Sequence, residues 1–259
     1  MYTEKEAREL VLKAGLRLVE TGLIARTWGN ISARISDTQF VITPSGRAYE
    51  SLKPEDLVAV NIEDLSYGGN IKPSSEKGIH AASYKLRPDV NFIIHTHQHY
   101  ASAICADEQD TAFAPCAKYG LPGSDKLKEN VELCVAIHPD FKAFLLAKHG
   151  TLCLGESCEE AFAVAEKLED DCRELFAKES RKRKPRVYSQ PWLDDYAQLI
   201  GRKKQDAEFE DAEAAKMIIE KNRAAAEYVK NAKPLGLFDA AMQRAVYVFK
   251  YSKLKNSNK

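Results

Sequence analysis

Apolar residues recur at helical spacing through residues 3–21, where Leu10, Val11, Ala14, Leu16, Leu18 and Val19 supply one face. Thr3 with Glu6 three positions on is a capping-box start, and Gly22 is placed to stop the helix. The pattern then changes to alternation. Ile31–Ile35 and Gln39–Ile42 read as two strands of a hairpin, turned at Asp37-Thr38, and Leu57–Ile62 as a third strand. A helix is predicted over Lys77–Lys85, broken by Arg87-Pro88, which delivers the chain to a strand over Phe92–His97. A helix begins near His99, residues 106–125 are irregular, and Ser124 caps a helix over 126–137. Phe141–Ala147 reads as a strand that Thr151–Gly155 continues. Ser157 then caps a long helix carrying Ala161, Ala165, Leu168, Cys172 and Leu175. From Lys178 the composition shifts. A basic run, Arg181-Lys182-Arg183-Lys184, reads as a solvated linker, followed by polar helices over 206–231 and 238–254 and a frayed end at 255–259.

The strand at Phe92–His97 brings in chemistry. Side chains alternate along a strand, so His95 and His97 project from one face. Two imidazoles there read either as a partly buried pair or as two ligands of one metal. His149, at the end of another apolar run, is the candidate third ligand, and three protein ligands leave a position open on zinc. Around Asn30, Ser45 and Ser75 the chain is rich in glycine and hydroxyl groups. Gly29-Asn30 and Ser45-Gly46 read as loop punctuation or as amides and hydroxyls aimed at an anion. Ser74 or Ser75 is a helix N-cap, or with the helix N-terminus receives a phosphate. Glu76 adds a carboxylate to the same stretch, where it also suits the helix dipole.

Composition narrows the partners. With 38 basic and 38 acidic residues the formal net charge is +0, which argues against a general nucleic-acid binder. No apolar run approaches the length of a membrane span. The charged start, Met1–Glu6, is not a signal peptide. The six cysteines form no Cys-x-x-Cys pair and read as free thiols in a reducing cytoplasm. At 259 residues the chain is long enough for one full core plus an appendage.

Five short motifs occur in a telling order: Thr27-x-Gly29-Asn30-x-Ser32, Thr43-Pro44-Ser45-Gly46, Pro73-Ser74-Ser75-Glu76, His95-x-His97 and His149-Gly150. In these, over roughly residues 5–178, the chain resembles the class II aldolase/adducin family, and within it the zinc-dependent L-fuculose-1-phosphate aldolases. The resemblance implies an α/β fold, a three-layer α/β/α domain around a mixed, largely antiparallel sheet, over residues 1–180, with a helical C-terminal extension over 181–259. It implies a homotetramer with active sites at subunit interfaces. Carried over by position, Gly29, Asn30, Ser45, Gly46, Ser74 and Ser75 would bind the substrate phosphate, His95, His97 and His149 would hold one zinc ion per subunit, and Glu76 would be the acid/base.

The implied reaction is the reversible cleavage of a short ketose 1-phosphate, such as L-fuculose 1-phosphate, to dihydroxyacetone phosphate and an aldehyde, through an enediolate that zinc stabilises. Relatives that resemble ribulose-phosphate 4-epimerases usually carry aspartate at the position of Glu76, so glutamate favours an aldolase. Runners-up are a pentulose-phosphate 4-epimerase, a sugar-acid phosphate decarboxylase and an adducin-like scaffold without catalysis. Two features depart from the fuculose-phosphate pattern. The segment between His97 and Pro115 is shorter and lacks the tyrosine those enzymes carry, for which Tyr100 and Tyr119 are the nearest substitutes. The tail after about Lys178 is longer.

Overall fold

The structure, a computed structural model, describes residues 1–23, 29–107 and 109–180. The expected extension over 181–259, with its basic run, its two helices and its frayed end, lies outside the described residues, as do Thr27 and Trp28.

In chain order the regular elements are α1 (Glu4–Glu20), β1 (Gly29–Arg34), β2 (Gln39–Ile42), β3 (Val58–Asn61), α2 (Lys77–Leu86), β4 (Phe92–Thr96), α3 (His99–Ile104), β5 (Cys116–Ala117), α4 (Asp125–Ile137), β6 (Ala143–Leu146), β7 (Gly150–Gly155) and α5 (Cys158–Ser180). The strands form one seven-stranded sheet in the order β3-β2-β1-β4-β7-β6-β5. Every neighbouring pair is antiparallel except β5–β6. This is the mixed, largely antiparallel sheet expected.

Helix ends follow their local chemistry. Thr3 and Glu6 form the reciprocal capping box at α1. The Ser124 hydroxyl accepts the Leu127 amide at α4, and the Ser157 hydroxyl accepts the Glu160 amide at α5. At α3 the cap comes from a distance: the Glu169 carboxylate of α5 accepts the amides of Tyr100 and Ala101 at 2.8 and 3.0 Å.

The strands are buried on both faces, and alternation sorts their side chains into two cores. One packs Ile31, Ala33, Phe92, Ile94 and Cys153 of the sheet against Val11 and Leu18 of α1, Ala101 of α3, and Phe162 and Leu168 of α5. The other packs Phe40, Ile42, Ile93, Leu152 and Leu154 against Ile79 and Tyr84 of α2 and Leu127 and Val131 of α4. Helices thus cover both faces, giving the three layers. The six cysteines are free thiols, and five of them are buried. No described helix is long and apolar enough to cross a membrane.

One expectation is corrected. Phe141–Gly155 is not one strand that continues through His149. It is a hairpin: Leu146 pairs with Gly150, and the chain reverses over Ala147, Lys148 and His149. Lys148 takes a positive φ of 56° in the turn, and the His149 amide returns to the Leu146 carbonyl at 2.9 Å. The short β5 falls within the stretch expected to be irregular.

Candidate active site

The middle of the sheet supplies the first two imidazoles. β4 carries His95 within the strand and His97 just beyond its end, and they leave the same face. On one side β4 pairs with β1, placing Asn30 opposite His95. On the other it pairs with β7, placing Thr151 opposite Thr96. The turn before β7 therefore sets His149 beside the end of β4. That turn is anchored from outside, because the Lys148 amide donates to the Cys105 carbonyl and the Ala147 amide to the Ala117 carbonyl, each at 3.0 Å.

The three rings meet edge to face, with centroids 4.8–5.1 Å apart. Their candidate ligand nitrogens all lie within 4.8 Å of one another. The Nε2 atoms of His95 and His97 are 3.3 Å apart. His95 donates its Nδ1 proton to the Thr151 carbonyl at 2.7 Å, which orients the ring with Nε2 facing inward. His95 and His149 are buried and His97 is half-buried, so the cluster opens toward solvent on the His97 side. Three converging imidazole nitrogens are a donor set that fits a divalent ion such as zinc.

Glu76 stands at the N-cap position of α2, and its carboxylate spans the cluster. Oε1 is 2.9 Å from His149 Nε2, and Oε2 is 3.1 Å from His95 Nε2. Burial pushes this carboxyl up, but positive charge on His95 and His149 and their hydrogen bonds outweigh it and hold it well below the usual carboxylate range. Burial likewise lowers His95, and the Glu76 charge outweighs it to leave a net rise.

The expected anion ligands divide into two groups. Thr43–Gly46 and Lys72–Glu76 run side by side, tied by the Ser45 amide to the Lys72 carbonyl and the Ser74 amide to the Thr43 carbonyl, each 3.0 Å. Ser45, Gly46 and Ser75 are exposed on these loops. Gly29 is half-buried at a φ of 147°, which favours glycine, where β1 starts opposite Thr96. Asn30 and Ser74 instead turn inward to Glu76. The Ser74 hydroxyl accepts the Glu76 amide at 3.2 Å, and Asn30 Nδ2 donates to Glu76 Oε2 at 3.0 Å.

Sequence reasoning missed what lies behind Asn30. Asn30 Oδ1 is 2.5 Å from His80 Nε2, His80 Nδ1 is 2.7 Å from Ser32 Oγ, and Ser32 Oγ is 2.8 Å from the Tyr84 hydroxyl. All four residues are buried. The signal was available: Asn30, Ser32 and Arg34 alternate on one strand, and Glu76, His80 and Tyr84 recur every fourth residue. Of the two tyrosine substitutes, Tyr100 lies on α3 with its ring 5.8 Å from that of Phe176, and the Tyr119 carbonyl accepts from Asn130 at 2.9 Å.

The chain matches the family model "Class II Aldolase and Adducin N-terminal domain" over residues 9–176. It is 32% identical over 209 residues to the 5-deoxy-D-ribulose 1-phosphate aldolase of Bacillus thuringiensis serovar kurstaki, covering 76% of this chain and 96% of the relative. It is 31% identical over 196 residues to the 3-oxo-tetronate 4-phosphate decarboxylase of Haemophilus influenzae, covering 70% and 91%. Among solved structures, an L-fuculose 1-phosphate aldolase superposes with a TM-score of 0.60 at 26% identity, over 71% of this chain and 91% of that one. The sheet, the histidine cluster and these likenesses agree, and the chain belongs to the class II aldolase and adducin family, as an enzyme of the lyase kind.

Proposed function

We propose that the protein is a zinc-dependent aldolase that cleaves a short ketose 1-phosphate to dihydroxyacetone phosphate and an aldehyde. The observation that carries this reading is the buried Glu76 carboxylate, 2.9 and 3.1 Å from two of three converging imidazoles. His95, His97 and His149 would hold the ion, which when bound supplies a Lewis acid for the oxygens of an enediolate.

The chain's own residues do the rest. Glu76 takes or returns the proton at the carbon of the enediolate, at Oε1 or Oε2. Its position beside the imidazoles sets that carbon against the three-histidine corner. Gly29, Ser45, Gly46 and Ser75, with the amides of their loops, take the phosphate and fix where the reacting carbon sits. They supply orientation rather than reactivity. Asn30 and Ser74 serve the same site from the inside by holding Glu76. In the reading carried over from the resemblance, four copies assemble in the cytoplasm, with active sites at their interfaces.

The relatives support cleavage of a sugar phosphate and leave the choice of bond to experiment: one is named an aldolase of 5-deoxy-D-ribulose 1-phosphate, another a decarboxylase of 3-oxo-tetronate 4-phosphate. The test is to incubate the zinc-loaded protein separately with L-fuculose 1-phosphate, 5-deoxy-D-ribulose 1-phosphate and 3-oxo-tetronate 4-phosphate. Release of dihydroxyacetone phosphate from either ketose phosphate is the expected result. Carbon dioxide from the third, with no dihydroxyacetone phosphate from the first two, would replace the aldolase reading with a decarboxylase.

A further inference from the structure

Behind Glu76 runs an unbroken line of buried polar groups, contributed by one strand face and one helix stripe. Asn30 and Ser32 come from β1; His80 and Tyr84 come from α2. The line ends at Tyr84, whose ring lies 4.7 Å below the Arg34 guanidinium and 5.3 Å from the Phe40 ring. Each group on it is sealed from water. Such a line is expensive to bury unless every member is satisfied, and satisfaction requires a consistent direction of donation.

We propose that His80 is a positioning residue for Glu76, and that the line Tyr84–Ser32–His80–Asn30 donates in one direction, toward the carboxylate. The argument starts from the end that is fixed. A carboxylate only accepts, so Asn30 must turn its Nδ2 to Glu76 and its Oδ1 to His80. An amide oxygen only accepts, so His80 must carry its hydrogen on Nε2. A neutral imidazole with hydrogen on Nε2 accepts at Nδ1, so Ser32 donates there. Ser32 has one hydrogen, now committed, so its oxygen accepts from the Tyr84 hydroxyl. Every rotor and amide orientation is thereby determined, and the donors polarise one another toward Oε2. Burial keeps the His80 ring neutral, lowering it to about 3, as this direction requires.

This gives His80 a role without touching substrate. With its hydrogen on Nδ1 instead, the bare His80 Nε2 would compete with Glu76 for the Asn30 amide hydrogens, and a flip to satisfy it would set Asn30 Oδ1 against Glu76. Two acceptors would then face each other in a closed site, and the carboxylate would rotate away from the imidazoles.

The inference rests on the reading of Glu76 as acid/base, and the experiment separates the two. The full chain is prepared with ¹⁵N-labelled histidine, His80 being assigned by its loss in His80→Gln. Expected between pH 6 and 8 is a neutral His80 with hydrogen on Nε2. A hydrogen on Nδ1, or a doubly protonated ring, overturns the proposal whether or not a substrate is known. In parallel, His80→Leu and His80→Gln are compared with wild type on the substrate found active. His80→Leu is expected to lower kcat roughly 10- to 100-fold, the scale of outer-shell partners, with KM within about twofold and zinc content unchanged. His80→Gln, whose amide N–H can reach Asn30, recovers most of the rate. A folded His80→Leu with the wild-type kcat overturns the proposal. Full activity in Glu76→Gln would instead sink the acid/base reading, and the nitrogen spectra would still decide the direction of the line.

Discussion

Gly150 lies hard against His97: a Cβ built on Gly150 would fall 2.9 Å from His97 Cδ2 and 2.5 Å from the Thr96 carbonyl oxygen. The carbonyl belongs to the strand end and cannot yield cheaply, so the imidazole or the β7 turn must move. Gly150→Ala is expected to weaken zinc binding roughly tenfold or more, since a proposed ligand is displaced. Zinc retained after dialysis against graded chelator measures this. Wild-type retention in a folded variant would show that the close approach does not position His97.

Glu76→Gln keeps the shape of the side chain and removes its capacity to carry a proton. Turnover is expected to fall roughly 10²- to 10⁴-fold, the range of general acid–base contributions, with His95, His97 and His149 still holding metal. Elemental analysis alongside steady-state kinetics checks both halves. Loss of metal in step with activity would make Glu76 chiefly a ligand.

His80 also predicts a pH dependence of stability. Its folded pKa is depressed to about 3 from an ordinary 6.5 by burial. A depressed group contributes stability that is present above the unfolded pKa and lost as pH falls toward the folded one. Below about pH 6.5 the unfolded chain takes up a proton that the folded chain refuses, and stability falls on the order of 1 kcal/mol per pH unit, down to about pH 3. Urea unfolding at a series of pH values should show a shallower acid slope in His80→Gln than in wild type. Equal slopes would mean that His80 does not titrate on unfolding in this window.

Gly15 on α1 faces the buried ring of Tyr49, and a Cβ there would sit 2.1 Å from Tyr49 Cδ1. Gly15→Ala is expected to cost about 1–3 kcal/mol by overpacking, despite the better helix propensity of alanine. Denaturant unfolding reads the loss directly. A gain in stability would mean that Tyr49 swings aside freely.

Local pattern carried much of this fold. The capping box at Thr3, the alternation through β1, β2 and β4, and the Ser124 and Ser157 starts all depend on neighbours in sequence, and they appear where those neighbours place them. The β6–β7 reversal did not show, because its special residue is Lys148, a lysine in a left-handed conformation that glycine or asparagine normally announces. β5, two residues long, has no room for a period. At the site, His95 and His97 could be paired from alternation, whereas the arrival of His149 depends on β7 pairing beside β4. The polar line behind Glu76 was written as two separate periods. Only the placement of α2 over β1 shows that they meet.

β4 is the fourth of seven strands and is hydrogen-bonded along both edges, to β1 and to β7. The amides of Ile94 and His95 therefore have no frayed edge through which to exchange with deuterium, and release should require opening of the whole sheet rather than a local excursion. A corner rooted there is shaped by the sheet itself, so its imidazoles stand gathered before any ion arrives, and taking one up would cost little ordering of the chain.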